Sequence, residues 1–314
     1  MSDIDTHRPP AAATPPSPGE AEAITTKERT QLQLVLSRFV RHKVAMISLG
    51  VFLLIAAWAF LVPHVWPHPH TIDRSIPQNV PWFQMWEHPL GTTQLGHDLM
   101  ARMMKATQNS ILVGLVAATI GVTIGTVWGA VAGFYRGWID AVMMRIVDVI
   151  IVVPVLVIYL VVAGSIRGGA SWYGLAILIG LFAWTAESRI IRGHVMSLRE
   201  REYIEAARAM GASDVRIIFR HLIPNTTSII VVAFTLAIAI AIIAEAALSF
   251  LGFGIRPPDI SLGQMIQQAQ TAVFVRPWLF YLPGLMIVAI VLAINFIGDG
   301  LRDALDPRQT MVRR

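Results

Sequence analysis

Three outward-facing histidines, one glutamate set inside an apolar run and three isolated lysines bound the chemistry this sequence could perform. His64, His68 and His70 fall in PHVWPHPH, where the intervening prolines prevent the helical i, i+4 face of a compact metal site and no carboxylate is adjacent. No metal centre is expected there. Glu245 lies within a long apolar stretch, where an ionised side chain costs about 2.5–3.5 kcal/mol on insertion scales. It should therefore face the protein interior, a partner or water. A place on a substrate path and a buried, hydrogen-bonded acid both remain open for it. Lys27, Lys43 and Lys105 are the only lysines and none follows a glycine, so the phosphate loop G-K-[ST] cannot be written. Any nucleotide hydrolysis belongs to another chain. The absence of cysteine excludes thiolate chemistry, Cys-ligated zinc and iron–sulfur clusters. The sequence offers no catalytic set and no cofactor site of its own.

The elements that must position these residues are membrane spans. The 314 residues are 55% hydrophobic and 14% charged, with mean hydropathy +0.60, against about a quarter charged in a soluble chain. Six apolar runs approach the ~20 residues that cross a bilayer: 44–62, 111–134, 146–165, 172–190, 226–249 and 279–296. The fold class is all-α, a polytopic membrane protein with six transmembrane helices. With both termini cytoplasmic, 19 of the 25 Lys and Arg fall on the inner side, which favours that orientation and accounts for the net charge of +5 without invoking nucleic acid. The Pro- and Ala-rich stretch 1–30 then reads as a disordered cytoplasmic tail with no apolar signal-peptide core, 31–43 as a juxtamembrane segment and 309–314 as a short cytoplasmic tail. Segments 63–110 and 250–278 face outward, with Trp66 and Trp82 as candidate interfacial anchors or docking residues, and 191–225 faces the cytoplasm. At the interfaces, Asp148 and Glu187 have Arg145 and Arg189 close in sequence as candidate partners.

Gly121, Gly125, Gly129 and Gly133 recur every four residues, which lines one helix face with groups too small to hold a neighbour away. Close packing against another helix backbone is expected. Ala233, Ala237 and Ala241 repeat the device in the fifth run.

The cytoplasmic segment LREREYIEAARAMGASDVRIIFRHLIPN is helical in pattern but too short and polar to span. Good helix formers run from Glu202 to Met210, Gly211 is a natural C-terminal stop, and Ser213 or Asp214 can cap a following helix. That second helix would present Val215, Ile218, Phe219 and Leu222 on one face. Pro224 suits the start of the fifth span or a redirected chain. Two short helices broken at a glycine make a rigid elbow.

Glu205, Ala206, Ala207, Gly211 and Pro224 resemble the EAA loop of permeases in binding-protein-dependent ABC importers: E-A-A, three residues, G, nine residues, then I-x-L-P. Here the last element reads His221, Leu222, Ile223, Pro224, with His in place of the usual Ile. HPLGTTQLGHD, from His88 to Asp98, is similar to the H-x-L-G-T-D-x-L-G-R-D signature of the C-type permease in peptide importers, departing at Thr93 and His97 where Asp and Arg are usual. LSFLGFGIRPPDISLG at 248–263 and GDGLRDALDPR at 298–308 resemble the same branch, with Leu262 replacing a usual Trp.

The resemblance implies an importer permease that forms half of a translocation pathway with a homologous second permease. It further implies two ABC ATPase subunits that bind ATP and Mg, an extracytoplasmic substrate-binding protein, and peptide cargo, with nickel, glutathione or another small solute as the alternative. It places the chain in a bacterial inner membrane and makes 205–211 the coupling helix seated on the ATPase. A secondary transporter would instead show inverted repeats and no coupling loop.

Overall fold

The computed structural model describes residues 31–72, 76–166 and 170–306. The expected tail at 1–30, Arg308 of the last motif and 309–314 lie outside the described residues.

The described chain is helical, and its only β contacts are isolated bridges. Helix α1, Gln31–Arg41, is followed at His42 by α2, Lys43–Leu61, with the His42 imidazole accepting the Ala45 N–H at 3.1 Å as an N-cap. α3 runs over Leu99–Tyr135, α4 over Gly137–Val152, α5 over Val155–Ser165 and α6 over Trp172–Leu198. The cytoplasmic segment holds α7, Glu202–Ala209, and α8, Asp214–Arg216. A wide turn with i→i+5 bonding, Ile217–Leu222, then leads into α9, Ile223–Asn225. α10 is Thr227–Phe250, α11 Leu262–Ala269 and α12 Trp278–Leu305.

Five helices are long and apolar enough to cross a membrane, and the bent pair α4–α5 makes the sixth span if counted as one. The expected third span, 146–165, is therefore not a straight helix. The chain bends by 77° between α4 and α5. Pro154 removes a backbone donor and forces Val153 out of the helical region, to φ −82°, ψ 126°. The second span also starts earlier than its apolar run. α3 begins at Leu99, twelve residues before Ile111, and its 37 residues reach about 55 Å at 1.5 Å per residue. That exceeds the ~30 Å hydrocarbon core, so the polar first turns of α3 project outward.

The ends of the described chain meet. His42 Nε2 lies 3.5 Å from Asp303, and Arg38 donates to the Asp306 carbonyl at 3.3 Å. A Cβ on Gly300 would run into the Ala45 side chain. The start of the first span and the end of the last therefore lie on one side of the membrane, as an even number of crossings requires.

The glycine ladder binds α3 to α6 at backbone distance. An added Cβ on Gly125 would sit 2.8 Å from the Trp184 carbonyl oxygen, and one on Gly133 2.8 Å from that of Arg192. At Gly129 it would collide with the Ser188 carbonyl oxygen, and at Gly121 it would come within 3.1 Å of Ala183 Cβ. Gly180 returns the contact from α6, where an added Cβ would sit 2.9 Å from the Ala117 carbonyl oxygen. In the alanine stripe of α10, Ala237 and Ala241 are buried, whereas Ala233 borders a cavity.

Candidate coupling elbow and outer cavities

The elbow is built on the inner ends of α3 and α6. Ile204 of α7 is buried with Ile217, Ile218 and Leu222 of the wide turn, against Ala130 and Phe134 of α3 and Ile191 and Val195 of α6, and Ala207 of α7 is buried as well. The guanidinium carbons of Arg199 and Arg208 stand 5.8 and 5.7 Å from the Phe134 ring centroid, at cation–π distance. Arg136, with φ +56°, starts α4 and is held by a 2.8 Å ion pair to Glu200 and a bond to the Met196 carbonyl. These contacts seat the elbow on the spans as one body.

Gly211 ends α7 in the left-handed region at φ +80°. Its N–H bonds the Arg208 carbonyl at 2.9 Å and the Ala212 N–H bonds the Ala207 carbonyl at 3.0 Å, the paired 5→2 and 6→1 closure of a Schellman cap. No atom lies within 4 Å of a Cβ added there, so backbone conformation rather than space calls for glycine. Ser213 Oγ then accepts the Arg216 N–H and starts α8.

The face expected for the second helix is rotated. Ile217, Ile218 and Leu222 are at most 2% exposed, whereas Val215 and Phe219 are 64% and 52% exposed. The i→i+5 turn adds a residue to the helical repeat and carries Ile217 inward in place of Phe219. It also meets Pro224, which cannot donate to a preceding carbonyl. Asn225 Nδ2 bonds the His221 carbonyl at 2.6 Å instead, Thr226 Oγ1 bonds that of Ile223 and Thr227 Oγ1 that of Pro224. The redirection at Pro224 is thus satisfied by side chains. Glu205 and Ala206 point outward beside exposed Tyr203, Met210, Val215 and Phe219, while Ala207 packs inward.

The acids of the spans are placed differently from their sequence neighbours. Arg189 pairs with Asp148 at 2.5 Å, joining α6 to α4, and Arg192 grips Asp140 with two bonds of 2.5 and 2.6 Å. Glu187 instead borders a cavity of about 620 Å³ between α6, α10 and α12, with Arg302 in the same lining. Glu245 is fully buried. Its carboxylate accepts from Ser249 Oγ at 2.6 Å and Ser110 Oγ at 3.0 Å, and Ser261 lies beside Ser249 at 3.2 Å. Three serines thus gather α3, α10 and the outer loop around one acid.

On the outer face, His88 and Asp98 form a buried 2.6 Å pair, and Asp98 also caps α3 by accepting the Ala101 N–H at 2.6 Å. The two atypical residues of this motif bond to each other, Thr93 Oγ1 lying 3.0 Å from His97 Nδ1. Arg102 reaches the same nitrogen at 2.9 Å and Gln268 Oε1 at 2.8 Å. Burial and the Arg102 charge push the His97 pKa down to about 4, so the imidazole is neutral at pH 7. Sequence reasoning passed over Arg102 because it sits in a polar stretch that read as loop. No group of three or more potential ligands that could hold a metal occurs among the described residues.

A bundle of apolar spans with a helical elbow packed on the ends of α3 and α6 defines a class, the multi-pass membrane subunit. Residues 125–311 match the family described as binding-protein-dependent transport system inner membrane component, and residues 30–84 match the N-terminal TM domain of oligopeptide transport permease C. The chain belongs to the family of binding-protein-dependent transport system inner membrane components, as a multi-pass permease subunit of a bacterial ABC importer. It is 40% identical over 290 residues to the oligopeptide transport system permease protein OppC of Mycobacterium bovis, covering 92% of this chain and 99% of that one. A putative peptide permease protein of Brucella suis is 42% identical over 276 residues, covering 87% and 89%. Among solved structures, an inward-facing MetNI methionine ABC transporter aligns with TM-score 0.53 at 20% identity, over 66% of this chain and 98% of that one, a likeness of fold.

Proposed function

We propose that this permease carries di- or oligopeptides inward, as half of a pathway completed by a homologous second permease, and that the elbow is where ATP hydrolysis by partner subunits acts on it. The exposed face of α7 carries the proposal. Ala207 is used internally, whereas Glu205 and Ala206 face outward with Tyr203 and Met210 on a body fixed to α3 and α6. A small, flat helix face of this kind suits seating in a groove of an ATPase subunit. Two such ATPases would hold ATP and Mg. Their closure would draw the paired elbows together and tilt α6 and α10, alternating inward and outward access. An extracytoplasmic binding protein would deliver cargo to the outer face. The substrate class rests on the relatives named for peptides.

Reconstitution of the full complex in liposomes tests both parts. ATP-dependent uptake of labelled peptides is expected, with loss of uptake but retained assembly when Glu205 and Gly211 are substituted together. Undiminished uptake by that double variant would remove the elbow from the coupling mechanism.

A further inference from the structure

Arg102 is a cation whose hydrogen-bond partners among the described residues are neutral. Its side chain is only 7% exposed, yet among the described residues no carboxylate comes within ion-pair distance. Its bonded partners are the His97 imidazole, which accepts through Nδ1, and the Gln268 amide oxygen, and its Nε is buried without an acceptor. A buried guanidinium normally has a carboxylate or phosphate partner, because the desolvation penalty is otherwise unmatched.

Arg102 lies in the wall of two adjoining outer cavities that also share Leu95 and Gln268. One, of about 500 Å³, holds His70, His97, Gln264 and the Asp259 carboxylate among apolar groups such as Ile72 and Ile260. The other, of about 290 Å³, has an apolar side made by Leu95, Leu99, Met265 and Leu279. Burial lowers the His70 pKa most, Lys105 and Arg102 lower it further, and Asp259 opposes them, so both cations and one carboxylate act at this cavity. Together the cavities fall within the roughly 300–1,000 Å³ range of small-ligand sites.

We infer that Arg102 is the anchor of a carboxylate-binding site on the outer face, which takes the C-terminal residue of a short peptide with its carboxylate on the guanidinium and its apolar side chain in the neighbouring cavity. The inference rests on the peptide reading for the identity of the solute. The geometry asks only for a carboxylate joined to an apolar group. Thr93 occupies the position from which an internal acid could neutralise Arg102, since both reach the same nitrogen of His97. Threonine leaves that charge available.

The probes are N-trifluoroacetyl-leucine and its leucinamide, followed by fluorine NMR on the intact complex in nanodiscs without binding protein. Saturable binding of the acid is expected, with the amide at least about 10-fold weaker, the scale of one charge-assisted contact. Arg102→Gln should erase the difference. If that variant fails to fold, two others decide the matter: Thr93→Asp should weaken acid binding about 10-fold by supplying an internal rival, and Asp259→Asn should strengthen it several-fold. Equal binding of acid and amide overturns the site, as does discrimination that survives in folded Arg102→Gln. Absence of probe binding combined with weakened docking of the binding protein in Arg102→Gln also overturns it, and assigns Arg102 to protein docking. Peptide uptake without acid–amide discrimination removes this inference and leaves the import function standing. Arg102-dependent binding without any peptide uptake does the reverse.

Discussion

Replacing Gly129 by alanine tests whether α3 and α6 are joined backbone to backbone. The new methyl would meet the Ser188 carbonyl oxygen, the Arg192 amide nitrogen at 3.0 Å and Ile191 Cβ at 3.0 Å. Two of these three atoms belong to a helix backbone and cannot rotate away, so the helices must separate by roughly 1 Å to restore ordinary contact distances of about 3.5–4.0 Å. A gap of that size forfeits a quarter to a half of each dispersion contact across the seam, and overpacking of this kind costs about 1–3 kcal/mol. Alanine returns up to about 1 kcal/mol of helix propensity. A net destabilisation of about 1–2 kcal/mol is expected. Gly193 supplies the control, because it lies in the same α6 helix and nothing stands within 4 Å of its added Cβ. Gly193→Ala should be neutral or stabilising by about 0.5–1 kcal/mol. The assay is unfolding of the purified complex in detergent, followed by tryptophan fluorescence against temperature and denaturant. If both variants shift stability in the same direction, the backbone-contact reasoning is wrong.

Further outcomes follow from the same geometry. Gly211→Ala should lower stability by about 1 kcal/mol through its left-handed backbone, with added amide exchange over α7 measured by mass spectrometry, whereas Ala212→Gly should leave α7 exchange nearly unchanged. Glu245→Ala should cost about 2–4 kcal/mol, because it opens a void and strands the hydroxyls of Ser110 and Ser249, and pairing it with Ser249→Ala should cost less than the sum of the two single changes. For His97 the folded pKa lies below the ordinary 6.5, so its contribution to stability is complete above that value and is lost as pH falls from 6.5 towards about 4. Protection of the outer-loop amides, corrected for the intrinsic slowing of exchange at lower pH, should fall across that window in the wild type, and less so in His97→Gln.

Hydropathy made the apolar spans legible in the sequence, and the four-residue spacing made the glycine seam so. Each rests on a property local to one helix face or one loop. The bend at Val153–Pro154 was missed because an apolar run looks alike whether straight or broken, although Pro154 itself was the available signal. The outward extension of α3 was missed because Arg102, Lys105, Gln108 and Asn109 lower the hydropathy of residues whose helix is fixed by the Asp98 cap. The rotated face at Ile217 depends on a wide turn that no helical period encodes. Glu205, Ala206, Ala207, Gly211 and Pro224 were picked out by their resemblance to the EAA loop, but the division of labour between inward Ala207 and outward Glu205 required the burial pattern of α7. Arg102 became visible only when its hydrogen-bond partners among the described residues proved to be neutral.

The fusion of α3 to α6 has a mechanical consequence. Between Arg102 and Phe134, α3 rises about 48 Å at 1.5 Å per residue, with one end at the outer cavities and the other beneath the elbow. Clamped to α6 between Ala117 and Gly133, this helix pair is a strut with little freedom to flex over that stretch. A push at the elbow must then reach the outer mouth as displacement of the whole strut, arriving at both faces together rather than passing along a relay of side chains.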